Sequence, residues 1–195
     1  MFRPRKANWL AGCGGTRPIT LRMSGAALYW FNPNGKQSYK ISDHQVVDFF
    51  SLPDGVHAIE GLEHMGVTEG SVIRIARTQP QDHWQALSML KLPEAPCAIA
   101  VRRDHTLLIT LSHSLIAVDS GCKIDTLLPD PPSGGLFHNS SILSADERKL
   151  YIGMRQFVGE FDLVTRKLRL LIPAKVFLNK LPKEDEERIR QQYGG

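Results

Sequence analysis

Histidine is the residue type that most invites a chemical interpretation in this sequence. The 195 residues include seven histidines, and three of them directly follow an aspartate: Asp43-His44, Asp82-His83 and Asp104-His105. A metal site would need a fixed spacing between ligands, such as two histidines on one face of a helix. No such spacing occurs, and the Asp-His pairs fall between predicted strands, where aspartate favours turns. We therefore predict neither a metal nor a cofactor.

The remaining reactive side chains give no catalytic pattern. Cys13, Cys97 and Cys122 are an odd number of cysteines without the spacing of a zinc site or a disulfide framework. We expect three free thiols, with Cys13 in the N-terminal segment and with Cys97 and Cys122 in apolar, strand-like runs, where cysteine acts as a small hydrophobic side chain. The glycine motifs of serine hydrolases, P-loop proteins and dinucleotide-binding proteins do not occur. We predict that the protein is not an enzyme.

Polar and large side chains in predicted loops are candidates for contact with a partner. They are His138, Asn139, Arg155, Gln156, Phe157 and Trp84. An apolar ring beside an arginine is typical of interface hot spots, and Arg155 can bind a carboxylate or phosphate through two hydrogen bonds. Each candidate also has a plainer interpretation: a soluble loop at 137–140, or the start of a buried strand at Phe157.

An internal repeat predicts the elements that position these residues. Residues 99–111 align with 142–154 without a gap, at an offset of 43 residues. Each copy contains four short apolar segments, separated by turn residues such as Asp104-His105 and Ser120-Gly121. Tandem four-stranded units of about 43 residues are typical of propeller blades. The unbroken apolar run Leu107-Leu108-Ile109 favours strands that are buried on both faces.

The predicted fold is all-β, a small β-propeller-like domain of about four four-stranded blades with a short C-terminal helix. The domain covers 1–173 and is followed by a tail, 174–195, in which the helix spans about 183–193. The blades are expected at approximately 7–42, 46–93, 96–129 and 139–173.

Two blades carry the loops that matter for binding. In the second blade, 63–70 and 77–84 are predicted as expanded connections between strands. In the fourth blade, 137–140 leads into the first strand and 155–157 joins the second strand to the third. We expect these last two segments to lie at opposite ends of the blade.

The clearest repeats resemble blades of the propeller superfamily with short irregular repeats, which includes NHL-type and YVTN-type proteins. This resemblance covers about 46–173, although those families usually close rings of six or seven blades and this chain has about four. Residues 149–158, Lys-Leu-Tyr-Ile-Gly-Met-Arg-Gln-Phe-Val, also resemble a segment of small bacterial proteins. Some of those proteins look like immunity proteins of contact-dependent or polymorphic toxin systems, which implies a toxin domain as the partner.

The charge and hydropathy of the sequence indicate its compartment and limit the kinds of partner that it can bind. The net charge of +4 is spread along the chain rather than gathered on one segment, which does not favour a nucleic-acid surface. No apolar run is long enough to span a membrane. Residues 10–13 spell a lipoprotein-type cleavage box, but the apolar stretch before them is too short for a signal. We expect a cytoplasmic protein.

These observations favour a non-enzymatic protein-binding module, most concretely a bacterial toxin-neutralising immunity protein. The alternative is a propeller hydrolase or lactonase with its site at the central opening. That function needs carboxylates or histidines in equivalent positions of separate blades. His138 is one candidate for such a position, but its repeat equivalent is the inert Ala95.

Overall fold

Strands account for nearly all the regular structure that the computed structural model describes. The described residues are 20–24, 27–31, 38–42, 44–64, 67–78, 83–131, 140–154 and 158–171, together with Lys183, Glu187 and Gln191. The strands are β1 (Thr20–Ser24), β2 (Ala27–Phe31), β3 (Ser38–Ser42), β4 (Val46–Leu52), β5 (Gly55–His64), β6 (Val67–Thr78), β7 (His83–Leu92), β8 (Pro96–Val101), β9 (Leu107–Leu111), β10 (Ser114–Val118), β11 (Ile124–Pro129), β12 (Ser140–Leu143), β13 (Lys149–Gly153), β14 (Val158–Asp162) and β15 (Lys167–Leu171).

The strands form four antiparallel sheets, in which strands that follow one another in sequence also pair with one another. The first sheet contains β1–β3, and the second, third and fourth sheets contain β4–β7, β8–β11 and β12–β15. This is the blade arrangement that the repeat predicts, so the all-β class is confirmed. The part of the predicted first blade that precedes Thr20 lies outside the described residues.

The C-terminal tail is described at three positions only. Lys183, Glu187 and Gln191 are in helical conformation, and all three fall within the predicted helix at 183–193. None of the described residues belongs to a helix that is long and apolar enough to cross a bilayer.

Internal contacts divide the chain into two compact units, Met1–Pro93 and Glu94–Gly195. The boundary falls between the predicted second and third blades. The first unit contains the first and second sheets, and its core packs around Leu28, Val46, Ala58, Ile73 and Ile75. The second unit contains the third and fourth sheets, and its core packs around Leu108, Leu115, Leu150, Ile152, Met154, Phe161 and Leu170.

The inner strand β9 confirms the prediction of burial on both faces. All five of its residues are buried, from Leu107 to Leu111. A strand with solvent on one face would alternate between buried and exposed residues, as the period of two requires. Burial on both faces is the condition that stacked blades impose on their inner strands.

The turns of the second unit repeat from sheet to sheet. Asp119 accepts hydrogen bonds from the amides of Gly121 and Lys123, and Asp162 does the same for Val164 and Thr165. Donation from Thr165 is the main reason that the pKa of the Asp162 carboxyl lies below its ordinary value. Aspartate favours these turns because its carboxylate accepts hydrogen bonds from backbone amides two to four residues ahead.

The second sheet is longer than the sequence predicts. The strands β5 and β6 continue through most of 63–70, and β6 and β7 include the two ends of 77–84, at 77–78 and 83–84. The first predicted connection is therefore largely paired strand, and in the second Thr78 lies directly opposite His83. These stretches have the composition of loops because they contain glycines and charged residues. The backbone hydrogen bonds of a hairpin do not depend on the side chains, so the strands continue into these stretches.

The cysteine prediction is partly wrong. Cys97 is half-buried in β8, as expected, but Cys122 is exposed and lies outside any strand. Its φ of 62° and its amide bond to the carbonyl of Asp119 place it in the turn between β10 and β11. Cys13 lies outside the described residues.

Candidate functional site

The two predicted binding segments of the fourth sheet attach at the same end of that sheet. Ser140, at the start of β12, pairs with Gly153, at the end of β13. The chain before Ser140 and the chain after Met154 therefore meet the sheet side by side. The expectation that 137–140 and 155–157 lie at opposite ends is wrong, because antiparallel pairing puts the start of the first strand beside the end of the second. We term the end of a sheet at which its first strand starts and its second strand ends the leading end of that sheet.

The third sheet has the same arrangement at its leading end. Pro96 pairs with Leu111, and the amide of Ser112 donates to the carbonyl of Ala95. The carboxylate of Glu94 accepts hydrogen bonds from the Ser112 hydroxyl, the His113 amide and the Ser114 hydroxyl. One side chain that precedes β8 therefore holds the hairpin between β9 and β10.

The leading ends of the third and fourth sheets lie on the same side of the second unit. At the opposite ends, Arg103 donates to Glu147 through its amide and to the Ala145 carbonyl through its guanidinium, at 3.0 and 2.7 Å. The strands β8 and β12 are also in contact with one another. A third link between the two sheets is the ion pair of Arg166 with Asp125, at 2.6 Å. Because β8 and β12 are tied where both strands end, both strands start on the opposite side of the second unit.

The predicted partner-binding residues are placed as follows. Five of them lie outside the described residues, in the segments that directly precede Ser140 or follow Met154 in the sequence: His138, Asn139, Arg155, Gln156 and Phe157. Trp84 belongs to the first unit, where it is half-buried on β7 and packs against the first-unit core. Its side chain therefore has a packing role that its place in a predicted loop did not suggest.

A polar pocket in the second sheet is the site that sequence reasoning missed. It has a volume of about 220 Å³ and is lined by His44, Glu60, Gly61, Glu69, Gly70, Ser71, Ser88 and Lys91. It lies at the leading end of this sheet, where Val46 pairs with Glu60 and the amide of Gly61 donates to Gln45. Among the described residues, no group of three or more His, Cys, Asp or Glu side chains could hold a metal.

Glu60 is the most unusual residue of this pocket. It is 6% exposed, and its two carboxylate oxygens accept hydrogen bonds from the hydroxyls of Ser42 and Ser71, at 2.6 and 3.1 Å. Ser42 ends β3, so Glu60 also links the first sheet to the second. The signal in the sequence was a lone carboxylate on the same strand face as Ala58, where a core residue is expected.

A second ionisable side chain, His57, is buried in the same sheet. The imidazole is fully buried and stacks on Phe50, with ring centroids 5.4 Å apart. Its Nδ1 is 3.1 Å from the carbonyl oxygen of Gly55, and its Nε2 is 3.5 Å from a carboxylate oxygen of Asp54. Burial lowers the pKa of His57 below its ordinary value, and the charge of Asp54 opposes this only in part.

Acid is therefore expected to destabilise the second sheet through His57. Between the ordinary pKa, about 6.5, and the lower folded pKa, the unfolded chain binds more protons than the folded one. The free energy of unfolding should be constant above pH 6.5 on this account, and should fall by at most about 1.4 kcal/mol per pH unit below it. Urea unfolding at a series of pH values measures this slope.

The variant His57→Asn removes the titrating group and should flatten that part of the slope. The carboxylates of the chain still titrate in the variant, so the difference between the two pH profiles isolates His57. Identical profiles for the wild type and the variant would contradict the assignment.

Comparison with known proteins identifies the fold. No protein-family model matches the sequence, and no curated protein matches it. Among solved structures, the chain is similar to a streptogramin B lyase at 13% identity and a TM-score of 0.53, over 80% of this chain and 52% of the lyase. It is also similar to virginiamycin B lyase from Staphylococcus aureus at 13% identity and a TM-score of 0.54, over 89% of this chain and 61% of that one.

A catalytically inactive variant of the Staphylococcus aureus lyase with quinupristin gives 14% identity and a TM-score of 0.53, with the same coverages of 89% and 61%. The chain thus spans between about half and three-fifths of the length of these structures. Similarity at such low identity shows a common fold, and these lyases are β-propellers. The chain has the β-propeller fold that its repeat predicts.

Proposed function

We propose that this chain is a non-catalytic binding module, which holds a protein partner at the leading ends of its third and fourth sheets. The observation that carries the proposal is the pairing of Ser140 with Gly153. It brings the attachment points of 137–140 and 155–157 together, so one partner is able to contact both segments. His113, which is exposed at the neighbouring leading end, extends the same surface.

A comparison of equivalent positions supports binding over catalysis. A propeller hydrolase or lactonase is favoured by the polar pocket of the second sheet, where Glu60 and His44 lie together. Such a site would draw polar residues from several blades. Glu60 pairs with Val46 at the start of β4, and Leu111 pairs in the same way with Pro96 at the start of β8. The repeat equivalent of Leu111 in the fourth sheet is Met154. Both Leu111 and Met154 are buried and apolar. The carboxylate is therefore local to one sheet.

An assay for hydrolysis separates the two functions. We expect the purified protein to show no turnover of a panel of simple lactones and esters. Turnover that is lost in Glu60→Gln or His44→Ala would instead support the hydrolase or lactonase.

The partner that we propose to test first is a bacterial toxin domain, because residues 149–158 resemble immunity proteins. Arg155 suits a partner that offers a carboxylate or phosphate, since guanidinium groups bind both through paired hydrogen bonds. Pull-down from native lysate with mass spectrometry identifies the partner, and a toxin among the captured proteins would support the immunity function.

Arg155→Ala is expected to weaken binding of that partner by about 2 kcal/mol or more, as hot-spot arginines do. The sequence predicts Arg155 in an exposed turn, where a substitution usually changes stability by no more than about 0.5 kcal/mol. The thermal midpoint of the variant should therefore stay near that of the wild type. Titration calorimetry and thermal unfolding measure the two effects. The matched control is Arg148→Ala, because Arg148 is exposed in the turn between β12 and β13, at the opposite end of the same sheet.

Two results would contradict the proposed surface. One is equal binding by wild type and Arg155→Ala, with Arg148→Ala affected instead. The other is a large loss of stability in Arg155→Ala with normal binding per folded molecule, which would make Arg155 a structural residue.

A further inference from the structure

A buried charge without a cation is the starting point of this inference. Within the described part of the chain, Glu60 forms no ion pair, and its polar contacts are the hydroxyls of Ser42 and Ser71. Two hydroxyls leave part of the acceptor capacity of a carboxylate unused, since such a group accepts up to about four hydrogen bonds. Burial of an unpaired charge is costly, and a cationic donor in the pocket would offset that cost.

The opposite charge lies on the same side of the sheet. Glu60 pairs with Ser71, and Ser71 pairs with Lys91, so the three residues form one row across β5, β6 and β7. Neighbouring strands are about 4.8 Å apart, which puts the backbones of Glu60 and Lys91 roughly 10 Å from each other. Lys91 is exposed and, among the described residues, forms no ion pair with Glu60 or Glu69, although all three line the pocket.

We propose that this pocket binds a small zwitterion of the amino-acid type, with its ammonium group on Glu60 and its carboxylate on Lys91. The proposal is independent of the partner surface in the second unit. A pocket of about 220 Å³ is smaller than the roughly 300–1,000 Å³ of drug-sized sites, so it suits a ligand of few atoms.

The row of Glu60, Ser71 and Lys91 offers binding groups for both charged ends of such a ligand. The ammonium group supplies three donors to a carboxylate that Ser42 and Ser71 already hold in one orientation. Charge-assisted bonds of this kind are about twice as strong as bonds between neutral groups. Two separate charges of opposite sign also discriminate against ligands that carry only one of them, because one pocket charge would then stay unpaired.

The probe for the test is L-alanine, with amide chemical shifts as the readout. We expect L-alanine to shift the amides of Gly61, Gly70 and Ser71 at millimolar concentration. N-acetyl-L-alanine lacks the ammonium group and L-alaninamide lacks the carboxylate, and each should bind at least tenfold more weakly. The second analogue also separates a free amino acid from the N-terminus of a peptide, which offers only the ammonium group.

Substitutions assign the two ends of the ligand. Glu60→Gln keeps the shape of the side chain and should abolish binding of L-alanine. Lys91→Met changes an exposed residue, so the fold is expected to be kept, and it should weaken L-alanine at least tenfold while leaving the weaker L-alaninamide unchanged. The matched control is Lys123→Met, in an exposed turn of the second unit, which should bind L-alanine as the wild type does.

Four results would overturn the proposal. The first three are the absence of amide shifts with L-alanine at millimolar concentration, equal affinity for L-alanine and N-acetyl-L-alanine, and full binding by a folded Lys91→Met variant. The fourth is tighter binding of L-alaninamide than of L-alanine, which would favour a peptide N-terminus as ligand.

Discussion

Replacing Phe161 with alanine is expected to lower the free energy of unfolding by about 3–5 kcal/mol. The ring is fully buried in β14, within the second-unit core, where it packs among side chains of the third and fourth sheets such as Leu108 and Leu150. Truncation removes the six ring carbons from the core, so their transfer free energy is lost and a cavity is left that the surrounding side chains fill only in part. Urea unfolding followed by circular dichroism measures the loss.

Two controls give that loss its meaning. Phe161→Leu keeps most of the apolar volume and should cost less than about 1.5 kcal/mol. Val164→Ala changes a residue that is 67% exposed in the turn after β14, and should stay within about 0.5 kcal/mol. A loss in Phe161→Ala no larger than in Val164→Ala would contradict the packing of the second-unit core.

The positions of the strands could be predicted from the sequence because apolar runs and turn residues recur at a constant period. From the apolar segments of the blades, the sequence predicts strands at 46–52, 114–118 and 167–171, and these are the bounds of β4, β10 and β15. The other strands of the second unit differ from their predicted bounds by one or two residues. The lengths of β5, β6 and β7 in the second sheet could not be predicted in this way, because residues of loop-like composition lengthen the hairpins that join them. Hairpin length depends on backbone pairing that side-chain patterns report only weakly.

Register was less predictable than strand position. The gapless alignment makes Ile142 the repeat equivalent of Ile99. In the structure, however, Ile99 pairs across the strands with Ile109, while Ser141 pairs with Ile152, the repeat equivalent of Ile109. The structural equivalent of Ile99 is therefore Ser141. One extra residue in the turn after β12 shifts that strand by one position. Ile99 is 7% exposed and Ile142 is 66% exposed, because a shift of one residue exchanges the two faces of a strand.

How far each candidate site could be predicted also depends on strand order and strand register. The leading end of the fourth sheet follows from antiparallel pairing alone, so it was available from the predicted strand order. The pocket around Glu60 was not, because it joins residues from three strands and from the connection before β4, which meet only in the correct register. The local signal was the carboxylate of Glu60 on the strand face of Ala58, and its partners Ser42 and Ser71 have no recognisable spacing from it in the sequence.

Glu94→Ala is expected to cause the largest effect at a leading end, a loss of about 2–4 kcal/mol in the free energy of unfolding. Ser112 is fully buried and Ser114 is 7% exposed, and the Glu94 carboxylate accepts a hydrogen bond from each hydroxyl. Alanine leaves both buried hydroxyls without this acceptor, and each such loss costs about 1–3 kcal/mol. Urea unfolding measures the sum, and Glu69→Ala, an exposed carboxylate of the first unit, is the matched control.

The loss should also have a local signature, because Glu94 accepts a bond from the amide of His113 as well. Hydrogen exchange at that amide is expected to accelerate more in Glu94→Ala than exchange at Ile109, in the middle of β9. Glu94→Gln keeps one acceptor oxygen and should fall between the wild type and the alanine variant. If water replaces the carboxylate without loss, all three proteins will have the same stability and the same exchange at His113, and the leading end of the third sheet is then held by backbone pairing alone.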